Sequence, residues 1–495
     1  MKLNDLITGL IAIEQLPDAA KDLQISGLAL DSRHIKPGYI FFALAGANQH
    51  GLTHLPQALG NGANVVFYDP KGESGLATPE VQVPLIAVTQ LEQLVGEIAA
   101  RFYGQPSRNL SVIGITGTNG KTSCSQFLAQ LLENCGIIGT LGWGDWGRLQ
   151  STVNTTPDAL SIQHIMADFL ATNKQAVAME VSSHGLAQGR VNGVYFKGAV
   201  FTNISRDHLD YHGTMTAYLN AKLTLLDKPG LAFVVVNLDD AASVDILAAI
   251  PKSIQVWGFS VFGKSLQNIE NIVAEHVAHK IDGIEFNACW QDQCQRVTVP
   301  LYGDFNIENV LSVMAVMLAM GIAFTEVLKR IAQLQPVSGR MERFGGGEQP
   351  LVFVDYAHTP DALNKVLASL RQHCQQTLWV VFGCGGNRDA GKRPLMGAVA
   401  AQWADHVLIT DDNPRFEESQ VIIDAILTGC QSSKVRVIAD RTQAIKTAIH
   451  QAKKGDCVVI AGKGHEAYQD VAGIRTPYSD CEVVLTALTH LVIQT

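Results

Sequence analysis

A chain of 495 residues is too long for one core, so about three domains are expected. Hydrophobic content of 47% with 17% charge describes a globular chain and excludes a disordered one. The net charge of −9 is spread without long runs of one sign, which argues against a nucleic-acid scaffold.

The first twenty residues carry Asp5 and Glu14 and lack a basic segment leading into an apolar core, so no targeting segment is evident. The longest nearly unbroken apolar stretch, 310–324, is shorter than the roughly 20 residues that cross a bilayer and reads as one buried helix. The nine cysteines form no C-x-x-C pair, and their odd number leaves at least one unpaired. Reduced thiols, a cytoplasmic location, no membrane or nucleic-acid partner and a monomeric state are the expectations.

Residues 1–107 alternate short apolar strands with turns, at 25–30, 39–44, 65–68 and 85–88. Their polar ends, Ser32 and the segment Gly46-Ala47-Asn48-Gln49-His50, stand where strands deliver donors to a ligand, although plain turn chemistry explains them equally well. Gln105-Pro106-Ser107-Arg108 reads as a linker.

Residues 108–335 open on Gly114-Ile115-Thr116-Gly117-Thr118-Asn119-Gly120-Lys121-Thr122, between an apolar run and a helical pattern from Cys124. A strand, a glycine-rich turn and a Lys-Thr pair at a helix start make a phosphate cradle. Backbone N–H groups face the phosphates, Lys121 supplies a charge and the Thr122 hydroxyl can hold Mg²⁺. The spacing departs from the usual P-loop, which needs glycine where Ile115 stands, and an ordinary strand-to-helix turn is the competing explanation. Two further strands end in Glu180 and in Asn203 to His212, placing Glu180 and His208 where an open α/β sheet binds ligands. Asn306 and Asn309 are neighbours on one helix face, suited to a base edge, with capping a rival role for Asn306. Lys222 has helical spacing that does not distinguish it from a surface lysine.

Residues 336–495 alternate near-continuous apolar strands with helices, the pattern of a Rossmann-like, doubly wound parallel sheet. The strand ends are polar: Asp355 to His358, Gly383 to Arg388, Asp411 to Arg415, and Gly462 to Glu466.

The loop 116–122, with Glu180, the 203–208 segment, Asn306/Asn309, Ser338-Gly339-Arg340 and Asp355-Tyr356-Ala357-His358, resembles the Mur ligases and folylpolyglutamate synthetases over nearly the whole chain. Within that superfamily, Glu180 to His184 and Asp412-Asn413-Pro414-Arg415 are similar to the diaminopimelate-adding (MurE) branch. The resemblance implies three α/β domains. They are a UDP-sugar domain (1–107), a central ATPase domain with a mainly parallel sheet (108–335) and an amino-acid domain (336–495). It implies a ligase that uses ATP and Mg²⁺ to join meso-diaminopimelate to a UDP-N-acetylmuramoyl dipeptide. Gly117, Thr118, Asn119, Gly120, Lys121, Thr122, Ser123, Asn309, Arg340 and Asp355 would bind the nucleotide. Lys121, Glu180, His208 and Lys222 would be catalytic, and Thr122, Glu180, His208 and Lys222 would hold metal. Lys222 matches a lysine carbamylated (N6-carboxylysine) in this family. Leu30, Ser32, Ala47, Asn48 and Gln49 would hold the uridine diphosphate, although the family's common Asp-Gly pair reads His50-Gly51 here. Asn154, Thr155, Thr156, Ser182, Gln188 and Arg190 would hold the muramoyl peptide. Arg388, Asp412, Asn413, Pro414, Arg415, Gly462 and Glu466 would hold diaminopimelate. Arg415 would decide the amino acid, because a distal carboxylate is what an arginine grips bidentately. The rivals are a ligase for another amino acid and a nucleotide-binding protein without catalysis.

Overall fold

Near-continuous Val/Ile/Phe runs can be buried only between two helical layers, and that is how most strands of this chain are used. The computed structural model describes every residue except 13–17, 47–48, 73–81, 281–282, 375, 431–433 and 495. Strands β1 (Gly27–Ala29), β2 (Tyr39–Ala43), β3 (Ala63–Tyr68) and β4 (Leu85–Ala87) form a small parallel sheet in sequential order. The 105–108 segment is a packed joint: a 3₁₀ turn, Pro106–Asn109, buries Pro106, and the Ser107 hydroxyl accepts the Tyr195 N–H at 3.0 Å.

The central sheet has eleven strands. They are β5 (Ser111–Thr116), β6 (Cys135–Gly139), β7 (Gly142–Asp145), β8 (Arg148–Gln150), β9 (Ala176–Glu180), β10 (Gly198–Phe201), β11 (Phe233–Asn237), β12 (Gln255–Ser260), β13 (Glu270–Lys280), β14 (Gly283–Trp290) and β15 (Gln293–Val299). Their order is 15-14-13-12-11-10-5-9-6-7-8, parallel from β13 to β6 with an antiparallel hairpin flap at each end. The phosphate-loop strand β5 is central, between β9 and β10, so the loops after all three strands open at one edge.

The antiparallel β13–β15 flap was not among the predicted elements. Its burial alternates, as at Ile284, Phe286 and Ala288, because only one face meets the core. The apolar run 310–324 is also not one helix. The helix Asp304–Ala319 ends at Met320, Gly321 takes φ 86°, and a second helix, Phe324–Ile331, turns away. Within the flap Cys289 and Cys294 are bonded to each other, which corrects the expectation of reduced thiols throughout.

The last unit has β16 (Glu342–Gly345), β17 (Leu351–Asp355), β18 (Leu378–Phe382), β19 (His406–Ile409), β20 (Val435–Val437) and β21 (Cys457–Ala461), in the order 16-17-21-18-19-20. All pair in parallel except the edge strand β16. A separate hairpin, β22 (Tyr468–Val471) and β23 (Ile474–Pro477), leans over its carboxyl edge. Arg441 and Asp480, both fully buried, lock this unit: a two-point ion pair at 2.8 Å, with Arg441 also donating to the Ala461 carbonyl. The architecture is the α/β one expected, three sheets with mostly parallel strands.

Candidate active site

The loop between β5 and the helix Lys121–Leu131 is held open by glycines that no other residue could replace. Gly117 has φ 146° and a Cβ there would lie 1.9 Å from the Thr202 hydroxyl, while Gly120 has φ 85°. The Asn203 carbonyl accepts the Thr118 N–H at 2.8 Å, and its side-chain oxygen accepts the Asn119 N–H at 3.0 Å. The segment after β10 thus braces the loop. Lys121 Nζ donates to the Gly117 and Thr118 carbonyls at 2.8 and 2.9 Å, and its burial lowers its pKa.

Glu180, at the end of β9, is buried and bonded on both oxygens: Oε2 accepts the Thr122 hydroxyl at 3.0 Å and the Thr140 hydroxyl at 2.9 Å, while Oε1 accepts the Thr140 N–H at 2.9 Å. Lys222 is only 1% exposed, donates to the Gly117 carbonyl at 2.8 Å and packs its Nζ over the Tyr218 ring. Burial, then the Lys121 charge, drives its pKa well below the ordinary value. The lysine that periodicity could not distinguish is therefore not a surface charge. His208 lies beside Asp207 and edge-on to His184, and burial lowers its pKa to about 4 although Asp207 pulls the other way. Among the described residues no hydrogen bond joins Glu180 to His208.

A crevice between the central and last units is lined by Asn119, Ser123, Asn309, Arg340, Asp355 and Tyr356, among others. Asn306 lies inside its helix. It donates to the Tyr302 carbonyl at 2.7 Å and accepts from Asn309 at 3.0 Å, an arrangement that leaves capping aside. A Cβ at Gly120 would lie 2.5 Å from the Asn309 side-chain oxygen Oδ1. Arg340 crosses between units: Nη2 donates to the Thr122 hydroxyl at 3.2 Å, and its guanidinium lies over Tyr356. Its Nε is buried with no partner among the described residues. Asp355 accepts the Met341 and Ala357 N–H groups at 2.7 and 2.8 Å, and burial raises its pKa to about 6 against the opposing pull of Arg340. A second crossing pairs Arg206 of the loop after β10 with Asp389.

In the first unit, Ser32 is buried and donates to Gln57 at 2.7 Å, Leu30 is half-buried and Gln49 is exposed. Ala47 and Asn48 lie outside the described residues. His50 caps the 3₁₀ turn Gly51–His54: Nδ1 accepts the Leu52 N–H at 3.1 Å, so the proton sits on Nε2 and is donated to the Asp69 carbonyl at 2.8 Å. Around Thr156 the peptide-side residues do come together. Its hydroxyl donates to the Glu180 carbonyl and accepts the Ser182 N–H, both at 2.9 Å, and Arg190 donates to its carbonyl and to Gln188. The Thr155 and Thr140 hydroxyls lie 3.0 Å apart, and because the Thr140 proton goes to Glu180, Thr155 donates to Thr140, which links this group to Glu180. Asn154 borders a cleft with Trp143 and His164.

In the last unit, Asn413 accepts from Lys463 at 2.8 Å and donates to Glu466 at 2.8 Å, and Lys463, fully buried, pairs with Glu466 at 3.1 Å. Gly462 lies against Asp412, where a Cβ would sit 2.5 Å from Oδ2. Arg415 adopts φ 54°, anchored where its N–H donates to the Asp470 carbonyl, and Nη1 donates to the Gly386 carbonyl at 2.8 Å. The Pro414 carbonyl lies against Gly386, and Arg388 is exposed.

Several residues here were not singled out from sequence. Asp207 sits among His208, His358 and Lys392, which outweigh its burial and hold its carboxyl below the usual range. Thr140, His184, Tyr218, Tyr356, Lys463 and Asp470 are others. His184, Tyr356 and Lys463 stood inside the polar strand-end segments without a role of their own, and Tyr218 carried a signal in its four-residue helical spacing from Lys222.

The chain matches three family profiles: Mur ligase family, catalytic domain, over 24–103; Mur ligase middle domain over 115–317; and Mur ligase, glutamate ligase domain, over 339–464. It is 47% identical over 484 residues to the UDP-N-acetylmuramoyl-L-alanyl-D-glutamate–2,6-diaminopimelate ligase of Pseudomonas aeruginosa, covering 97% of this chain and 98% of that one. The protein of the same name from Coxiella burnetii is 44% identical, covering 96% and 99%. A solved structure of a ligase of that name superposes with a TM-score of 0.70 at 36% identity, covering 99% and 100% of the two chains. At 18% identity, a MurF ligase from Thermotoga maritima in complex with ADP shares the fold, with a TM-score of 0.67 and coverage of 96% and 100%. With these relatives matched from end to end, the chain belongs to the Mur ligase family.

Proposed function

We propose that the chain is an ATP-dependent acid–amino-acid ligase of peptidoglycan synthesis. It joins meso-2,6-diaminopimelate to the D-glutamyl γ-carboxylate of UDP-N-acetylmuramoyl-L-alanyl-D-glutamate. The observation that carries this is the 47% identity, along 97% of the chain, to a ligase named for that reaction. The units divide near 107 and 335, the first holding the uridine diphosphate and the third the amino acid. ATP, a nucleotide sugar and a free amino acid together imply work in the cytoplasm.

Two anions, the γ-phosphate and the γ-carboxylate, have to meet before any bond forms, so charge control dominates the chemistry. Lys121 and the loop N–H groups bind the phosphates, and Arg340, already on Thr122, clamps them from the other unit. The γ-carboxylate attacks the γ-phosphorus and ADP leaves. The amine of diaminopimelate then attacks the acyl phosphate, and phosphate departs. Closure across Arg340–Thr122 and Arg206–Asp389 keeps water from the acyl phosphate.

The hydroxyl of Thr122 and the carboxylate of Glu180, 3.0 Å apart, offer hard oxygens that suit Mg²⁺, and His208 and carbamylated Lys222 would complete the group that holds it. Mg²⁺ would neutralise charge between the two reacting anions. Lys222 fits carbamylation: burial favours its neutral amine, whose lone pair adds to CO₂ with release of one proton. The resulting anion would turn the Lys121–Lys222 repulsion into attraction. Bicarbonate labelled with ¹³C should give a carbamate resonance that Lys222→Ala lacks. The same resonance in both proteins would refute carbamylation there.

Diaminopimelate would rest against Asp412, Asn413, Gly462 and Glu466, its distal carboxylate on Arg415 with Arg388. Phosphate release measured with diaminopimelate, lysine and glutamate tests the reading. Release should need ATP, the nucleotide dipeptide and diaminopimelate together. Equal turnover of lysine or glutamate would move the protein to another branch, and release without both cosubstrates would reject the ligase.

A further inference from the structure

The antiparallel flap of the central sheet carries chemistry that the ligase reaction does not use. Glu275 of β13, Cys289 of β14 and Cys294 of β15 lie on adjacent strands, and one ligand atom from each falls within 4.8 Å of the others. Register explains the convergence. Cys289 opposes Cys294 one step inside the Trp290–Gln293 pair that closes the hairpin turn. In a hairpin with a two-residue turn the closing pair is hydrogen-bonded. The next pair is then of the non-hydrogen-bonded kind, in which opposed side chains approach most closely. Glu275 opposes Asn287, two residues from Cys289 and therefore on the same face.

Cys294 is the one exposed cysteine among the described residues. Cys294 and Glu275 are exposed and Cys289 is half-buried, while the seven free cysteines are buried or half-buried. An exposed disulfide is open to thiol exchange. Two thiolates on one tetrahedral zinc-like ion stand roughly 3.8 Å apart for metal–sulfur bonds of about 2.3 Å. That separation matches what opposed strand positions present, so a disulfide and a metal chelate need no change of register.

We infer that Glu275, Cys289 and Cys294 form a redox-gated site for a soft divalent cation of the zinc class. An external dithiol reduces the bond: two electrons and two protons pass to Cys289 and Cys294, and the dithiol leaves as its own disulfide. The cation then displaces both thiol protons to solvent and takes two sulfurs and one Glu275 oxygen, with water as fourth ligand. Re-oxidation by a disulfide reverses the sequence and ejects the ion.

Cobalt(II) tests this, because thiolate-to-cobalt charge transfer gives a near-ultraviolet band. Full-length protein, reduced with a phosphine and desalted without oxygen, is titrated with Co²⁺. The expected result is a band saturating at one ion per chain and abolished by glutathione disulfide. A Cys289→Ser/Cys294→Ser variant should lose the band while keeping ATP-dependent phosphate release, which shows that it is folded. Glu275→Gln should keep the band and weaken binding by at least roughly tenfold, the scale on which even outer-sphere partners act. Absence of the band in the reduced protein, or its survival in the double serine variant, overturns the site. Unchanged affinity in Glu275→Gln overturns the carboxylate ligand.

Discussion

At the scale of single residues, the proposed roles separate by which substrate each substitution affects. Arg415→Ala should lower kcat/KM for diaminopimelate by about 10⁴-fold, as for other sites that lose the partner of a charged substrate group, with ATP affinity nearly unchanged. Steady-state kinetics against each substrate decides it, and retained diaminopimelate turnover would refute the assignment. Glu180→Gln should cut kcat by about 10²-fold or more by weakening charge control at Thr122, with the melting temperature little changed because the amide oxygen still accepts the Thr140 N–H. Lys121, Thr122 and Glu180 were legible because the loop is a local motif and strand ends are local features. Arg340 and Asp355 needed the family resemblance, and Asp207 was missed, since its partners His358 and Lys392 lie more than 140 residues further along the chain.

At the scale of elements, the strands that read as continuous apolar runs were legible, and those that alternate were not. The β13–β15 flap escaped notice because one-sided burial dilutes its apolar signal among Glu, Gln and Arg. The break at Gly321 was hidden within an apolar run, where hydrophobicity outweighs a single glycine. The buried Arg441–Asp480 pair joins the helices Arg441–Gln451 and Asp480–Gln494 to the end of β21. Removing one partner strands a buried charge, so Arg441→Ala should destabilise the last unit by about 3–5 kcal/mol. Urea unfolding followed by circular dichroism measures it, and a loss under 1 kcal/mol would contradict this role.

At the scale of the molecule, acid should loosen the protein before it stops titrating carboxylates. Burial lowers His184, His208, His358 and His373 to about 4 and His465 to about 3. Their folded values lie below the unfolded value near 6.5, so the unfolded chain binds more protons between those limits. The stability they support is complete above pH 6.5 and is lost as pH falls toward 4. Asp355, raised to about 6, works in the opposite sense between about 6 and 3.8, and Glu308 and Asp411, which burial also raises, work with it, but they oppose five histidines. Melting temperature should therefore fall from pH 7 to pH 4.5, and His373→Gln should make that slope shallower. Taken by itself, the sequence determined the three α/β units and the phosphate loop, because strand periodicity and glycine spacing act over a few residues, while the family came from the resemblance of the motifs. Only the tertiary structure decided that Lys222 is buried beside Lys121, that Arg340 reaches Thr122 from another unit, and that Cys289 meets Cys294 and Glu275. Those facts depend on which strands become neighbours, and packing of distant segments settles that.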